Sequence, residues 1–220
     1  MSLGLNYTDL RRAIGRLLGF DRTTTSWTTN QTTDVEDYLG QGVRRFLWPI
    51  SPEGALIHSW SFLRKSATIT LVDGDYDYDL PDDFASMVGD PILVSTEGGR
   101  IDRIDPEVIL AMQSKHPKAD QPTNYAIQAK TFDAAVGTKL ELILYPTPDV
   151  ADTLTYVYMW TPDELSWDDY PLGGVVHSET VLEACLAAAE LGTTQLEGVH
   201  AKRFAERLAA SINVDQEQRA

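Results

Sequence analysis

The 220-residue chain contains a single cysteine, Cys185, which excludes a disulfide framework and a cysteine-rich zinc site. No apolar run reaches the roughly 18 residues that a membrane-spanning helix needs. The opening residues, MSLGLNYTDLRR, lack a basic segment followed by an apolar core, so no secretory signal is expected. Basic side chains are few: 18 Lys and Arg face 33 Asp and Glu, a formal net charge of −15. Such an excess argues against tight nonspecific binding of a nucleic-acid duplex, which needs many cationic contacts to phosphate. No HExxH, GxSxG, Walker A or GxGxxG pattern occurs. The four histidines, His58, His116, His177 and His200, lie far apart with no metal spacing and read as loop or surface residues. Neither catalytic nor cofactor residues are expected, although so many carboxylates leave an acid–base pair of the glycosidase kind open, since such a pair is defined by spatial separation. What remains is ordinary globular composition, 43% hydrophobic and 9% aromatic, so the chain is not expected to be disordered.

The charge is distributed unevenly. Residues 1–65 carry a net +2, residues 66–172 a net −14 and residues 173–220 a net −3. The ends read as helical and the middle as mostly strand. The expected organisation is α+β: an N-terminal helical part (1–65), an inserted acidic antiparallel β-sandwich or barrel-like domain (66–172), and a C-terminal helical hairpin and tail (173–220) that packs with 1–65.

In the N-terminal part, Leu10, Ile14, Leu17 and Leu18 recur at helical spacing after the caps Asn6 and Thr8. Arg11, Arg12 and Arg16 lie off that stripe, as a solvated face or as a contact for an acidic partner. Residues 20–32 read as a threonine-rich loop whose Trp27 is either an exposed contact or tucked onto the core. A capping box at Thr33–Glu36 is expected to open an amphipathic helix with Val35, Tyr38, Leu39, Gly42, Val43, Phe46 and Leu47 inward and Pro49 at its end. Gly40 and Gly42 each weaken a helix by about 0.5–1 kcal/mol, and close approach of a second helix would offset that.

In the middle, residues 66–80 alternate around Asp73-Gly74, the dipeptide that favours a type I′ hairpin. Tyr76, Tyr78 and Leu80 share one face, and Asp75, Asp77 and Asp79 the other. Acids on one face of a strand lie about 7 Å apart and do not converge on an ion as a calcium loop does, so a solvated acidic face is expected. Strands are expected at 91–96 and 100–104, a short helix at 106–115 behind Pro106, and a strand from Asn124. A second hairpin is expected from Thr138–Tyr145 and Thr153–Trp160 around the Pro146–Asp149 turn, followed by an acidic loop at 161–174.

In the C-terminal part, Val181, Leu182, Cys185, Leu186 and Ala189 line a helix that starts near Ser178 and is expected to stop at Gly192. Its alanines favour helix and allow close packing, and Cys185 reads as a buried small hydrophobe. A capping box at Thr194–Glu197 is expected to start a second helix lined by Ala201, Phe204, Ala205, Leu208 and Ile212, with a loose tail DQEQRA.

Taken in order, Tyr78-Asp79-Leu80-Pro81-Asp82-Asp83-Phe84, Pro122-Thr123-Asn124-Tyr125-Ala126-Ile127, Leu140 through Asp149, and Thr153-Leu154-Thr155-Tyr156 resemble the head-to-tail adaptors of tailed bacteriophages, the tail-tubular or connector-type structural proteins. The order of elements is similar over about residues 30 to 210. The resemblance implies a virion protein at the neck, assembled in the host cytoplasm. It implies a ring, commonly dodecameric, docked beneath the portal protein, with a β-domain facing neighbours and the tail or nozzle protein. DNA would pass through the channel without specific binding, and no catalytic residue, cofactor, metal or membrane is implied. It further implies that the C-terminal segment, about residues 208–220, reaches the portal, with Leu208, Ile212, Val214, Gln216 and Arg219 as contact residues. Another neck, tail-completion or interaction protein is the alternative, and a carboxylate-based hydrolase a more distant one.

Overall fold

The computed structural model describes residues 3–51, 54–94, 99–135 and 137–218. In chain order its elements are α1 (Tyr7–Leu17), α2 (Thr29–Leu47), β1 (Arg64–Leu71), β2 (Asp77–Asp79), β3 (Phe84–Met87), β4 (Ile92–Leu93), β5 (Gly99–Arg100), β6 (Asp102–Arg103), α3 (Pro106–Lys115), β7 (Asn124–Asp133), β8 (Gly137–Tyr145), β9 (Asp152–Trp160), α4 (Ser178–Thr194) and α5 (Val199–Glu217). The fold is thus mixed α and β. The contact pattern divides it into two compact units, Met1–Phe62 with Asp163–Ala220, and Leu63–Pro162. The acidic segment 163–172 falls in the first unit, where Asp169 O accepts the Tyr7 N–H at 2.8 Å. Counted by folded unit, the formal charge is close to even: −7 for the first (10 basic, 17 acidic) and −8 for the second (8 basic, 16 acidic).

The first unit is built around α4, which is buried from Glu183 to Ala189 and packs against α1, α2 and α5. A helix covered on several sides has no narrow apolar stripe, and here Ala184 and Ala187–Ala189 are buried along with Val181 and Cys185. Small residues let a neighbour come close. A Cβ placed on Gly42 of α2 would lie 2.3 Å from the Cys185 Cα, and one on Gly192 2.3 Å from the Tyr38 ring. Gly192 therefore does not stop α4; the helix runs on to Thr194 and ends with Gln195 in the left-handed region (φ 57°). The start of α5 is capped from α4 rather than by Thr194. The Glu190 carboxylate accepts the N–H groups of Val199 (3.1 Å) and His200 (3.0 Å), satisfying donors that the helix itself leaves free.

At the other end, α1 begins at an Asn6–Asp9 capping box. Helix α2 starts at a Thr28–Gln31 box, more than a turn before the expected Thr33–Glu36 pair. Both pairs satisfy the pattern, but Trp27, just ahead of Thr28, packs onto α1 and ends the loop there. A Cβ on Gly15 would lie 2.4 Å from that indole, so Trp27 is tucked in rather than free.

The second unit contains two sheets. One runs β1-β9-β4-β5 with β3 also on β9, and the other runs β2-β8-β7-β6. Among the described residues neither closes into a barrel, and the β6–β7 pair is parallel in an otherwise antiparallel set. The long predicted strands exist, but their partners are exchanged; of the expected strand 91–96 only Ile92–Leu93 is a strand and 95–96 lie outside the described residues, and the expected strand 100–104 divides into β5 and β6, one in each sheet. Asp73-Gly74 does not close a β1–β2 hairpin, nor do residues 146–149 close a β8–β9 hairpin. Instead β1 pairs with β9 (Ala67 opposite Tyr156) and β2 with β8 (Tyr78 opposite Leu142). Each connection passes from one sheet to the other, and the two lie side by side, the Gly74 N–H donating to Pro148 O at 2.9 Å. Alternation fixes which face of a strand is apolar, not which strand lies beside it. Either pairing places Leu71, Tyr78, Leu142, Leu144, Leu154, Tyr156 and Tyr158 in one shared core.

The hairpin that does form is β7–β8. Its outer face is covered by α3, where Ile109, Ala126 and Ile143 make a small second cluster, so residues 141–144 are buried on both faces. Inside the unit, Asp83 accepts from Lys65 Nζ (2.8 Å) and Tyr158 OH (3.0 Å), and Lys65 lies 3.6 Å over the Trp160 ring centroid.

Candidate functional site

Two places in the helical unit concentrate polar chemistry. The first is a buried hub at the C-terminal end of α5. Asp215 is fully buried and accepts hydrogen bonds from His58 Nε2 (2.7 Å), from the Ser61 N–H (3.1 Å) and from the Ser61 hydroxyl. The sequence prepares this badly: Asp215 opens the DQEQRA run that reads as a loose tail. In the structure α5 continues through Glu217, with Leu208, Ser211 and Asp215 turned inward at i, i+3 and i+7. Ser211 Oγ lies 2.7 Å from Thr180 Oγ1 of α4. Ala205, expected on the inner stripe, is exposed, and Ala201 and Phe204 are half-buried.

Around the hub, His58, Trp60, Phe62, Phe46 and His177 form an aromatic cluster with ring centroids 4.6 to 6.2 Å apart. The Trp60 indole N–H donates to Phe46 O at 2.9 Å. Two of the four histidines therefore sit in the core, not in loops or on the surface. Burial, and the neighbouring His58, lower the pKa of His177 against the opposing pull of Asp215.

Serine, histidine and aspartate occur here together, but they are wired differently from a hydrolytic triad. In a triad the serine bonds to histidine and the histidine to aspartate. Here both His58 and Ser61 turn to Asp215, and the group is buried. Its contribution is to fasten the last helix to the segment after α2. Cys185 is equally inert, its thiol pushed up to about 12 by burial. Among the described residues no group of three or more His, Cys, Asp or Glu could hold a metal ion. No helix is long and apolar enough to cross a membrane, again among those residues.

The residues expected to meet a partner fall on both sides of α5. Leu208 is buried, Ile212 and Val214 are half-buried and Gln216 is exposed, while Arg219 lies outside the described residues. Arg203 (4.0 Å from Glu183) and Arg207 (3.7 Å from Glu179) bridge α5 to α4.

The second place is a cleft of about 360 Å³ lined by Arg12, Arg16 and Arg22. It exists because α1 ends in a Schellman turn: the Gly19 N–H donates to Arg16 O, the Phe20 N–H to Gly15 O, and Gly19 takes φ 75°. The chain then folds back, Phe20 meets Trp27 edge-on, and Arg22 comes to the same opening as Arg12 and Arg16. Arg11 is used internally, with Glu36 at 3.5 Å and its guanidinium 5.5 Å from the Tyr7 and Trp27 ring centroids. The loop between Pro162 and Ser178 also presents Trp167 and Tyr170 to solvent, 74% and 51% exposed. Their place in an acidic run was the only signal in the sequence, and it did not separate a surface aromatic from a packed one.

The helical unit thus uses its buried polar groups for packing, and it leaves an arginine-lined cleft and two aromatic side chains open to solvent. A model of the SU10 adaptor protein family matches residues 5–220, and the chain belongs to that family of phage head-tail adaptors. It is accordingly an adaptor-type structural protein, and the family places it among the components of the virion neck. No curated protein matches the chain.

Proposed function

We propose that copies of this chain assemble into a ring, dodecameric by the family resemblance, below the portal protein. The ring extends the DNA channel and gives the tail or nozzle protein a docking platform, with assembly in the host cytoplasm. The single observation that carries this reading is the family match over nearly the whole chain, which takes in both units and the C-terminal helix. The net charge supports it: with both units negative, a passing duplex is repelled rather than held.

The portal-facing element in this reading is the end of α5, through Ile212, Val214 and Gln216, with Arg219 beyond. Leu208 acts at one remove, by packing. The hub at Asp215 holds the helix end in one position, which lowers the conformational cost of docking. The strands of the second unit face neighbouring copies and the tail. Electron microscopy of the purified chain mixed with portal rings tests this: added density on one face of the ring is expected, and bare rings at saturating chain would overturn it.

A further inference from the structure

The Arg12–Arg16–Arg22 cleft is a concentration of charge that the fold itself does not use. Arg12 and Arg16 are four residues apart on α1, where like charges repel along the helix. The Schellman turn then adds a third guanidinium to the pair. All three side chains are exposed, and among the described residues none has a carboxylate within the 4.0 Å of an ion pair. In a chain of net charge −15, an uncompensated +3 opening stands out as a place for an anion.

The chain also carries the opposite excess. On the outward face of the β2–β8–β7 sheet, Asp77, Asp79 and Glu141 gather around one ammonium, Lys130, at 3.9, 2.7 and 3.4 Å. Asp75 adds a fourth carboxylate beside Asp77. Burial, and then the charges of Asp75 and Glu141, hold the Asp77 carboxyl above its ordinary value despite Lys130. Three carboxylates share one lysine and Asp75 stands beside them, so the strip keeps a net negative charge where the cleft is positive.

We propose that the Arg12–Arg16–Arg22 cleft of one copy receives the Asp75–Asp77–Asp79 strip of a second copy. The contact joins two different faces of the same chain, the heterologous geometry from which rings are built. Guanidinium forks suit carboxylates in this role. DNA phosphate is the competing anion, and the negative charge of both units opposes it. This inference rests on the ring reading above and names the residues of its repeating contact.

The test is disulfide trapping between two full-length variants, Arg16→Cys and Asp77→Cys, mixed under mild oxidation in solution and on portal rings. Cys185 is fully buried and does not compete, and the unsubstituted chain controls for it. The mixed dimer is expected to exceed either homodimer on the order of tenfold, a preference of about 1.4 kcal/mol for opposite over like charges. Adding Arg12→Glu and Arg22→Glu to the first chain should remove the excess. Adding Asp75→Lys and Asp79→Lys to the second should restore it, with circular dichroism confirming that each variant is folded. A mixed dimer no more abundant than the homodimers, in both settings, overturns the proposal. So does an arginine reversal that leaves trapping unchanged while abolishing retention of a DNA duplex, which would assign the cleft to nucleic acid. The portal-decoration experiment separates the two readings. Decorated rings without trapping leave the adaptor function standing and remove this contact, and trapping without decoration does the reverse.

Discussion

Gly42 and Cys185 bring α2 and α4 together so closely that a single methyl group has no room between them: a Cβ on Gly42 would sit 2.3 Å from the Cys185 Cα and 2.5 Å from its amide nitrogen. The obstacle is backbone and cannot swing aside. Gly42→Ala is therefore expected to destabilise the helical unit by about 1–3 kcal/mol through overpacking. In a protein of this size that lowers the melting temperature by about 2–4 °C per kcal/mol. Gly40→Ala is the control. Its nearest neighbour is the movable Arg44 guanidinium at 3.3 Å, so it should be neutral or stabilising by up to about 1 kcal/mol. Equal melting curves for Gly42→Ala and the unsubstituted chain would show that the helices can move apart freely.

Replacing Asp215 by alanine leaves His58 and Ser61 facing an apolar gap. Each polar group left without its partner costs about 1–3 kcal/mol. The expected result is loss of amide-exchange protection in α5 from Ser211 onward, together with a lower melting temperature. Truncation after Ala210 should lower the melting temperature likewise and reduce protection in the remaining turns of α5, because it removes both Ser211 and Asp215. Unchanged protection would show that α5 is held by its salt bridges to Glu179 and Glu183 instead.

His177 provides a pH dependence with a definite sign. Burial makes its pKa in the folded protein lower than the ordinary 6.5. Below 6.5 the unfolded chain takes up a proton at this residue that the folded chain still refuses. Its contribution to stability is therefore full above that pH and declines as pH falls toward the folded value. The slope is at most about 1.4 kcal/mol per pH unit. Urea titrations at several pH values should show the decline, and His177→Phe, which suits the aromatic cluster, should remove this part of it.

Leu142 is fully buried in the core of the second unit, opposite Tyr78. Leu142→Asp places a carboxylate there without a partner and should unfold that unit, since burying such a group costs several kcal/mol, roughly, or forces it to take up a proton. Loss of near-ultraviolet dichroism from the tyrosines is the readout. A normal tyrosine signal would mean that the strand can turn this position to water.

Much of the architecture could be read from local pattern. The inward face of α2 and the bounds of α3 behind Pro106 follow from periodicity and capping, as does burial of Leu10 and Ile14 on α1, whereas Leu17 of the same expected stripe is exposed and Leu18 only half-buried where the helix ends. What escaped was non-local. The alternation in β1, β2, β8 and β9 is equally well satisfied by two hairpins or by the exchanged pairing, and only assembly of both sheets decides. The helix boundaries were missed where two adequate signals competed, as Thr28 with Thr33, or where a cap came from another helix, as Glu190 at α5. The hub was invisible because His58 and Asp215 are 157 residues apart, and a lone aspartate in a polar run reads as solvated. At the candidate contact surfaces, sequence marked Arg12 and Arg16 as lying off the apolar stripe. It did not place Arg22 with them, since that depends on the turn at Gly19.

The division of the chain sets an order of events during synthesis. Residues Leu63–Pro162 are continuous, so the second unit has all its strands once that stretch has left the ribosome, although joining β1 to β9 closes a loop over nearly the whole unit and is slow for that reason. The helical unit has no such option. Val35, Leu39 and Phe46 are made early, yet the helix that covers them begins only at Ser178. For most of translation α2 carries an uncovered apolar face, a condition that favours aggregation. A nascent chain arrested with residues 1–170 exposed should therefore resist protease between 63 and 162 and be cut readily within α2. It is the arrival of α4, made long after α2, that covers the inward face of this helix.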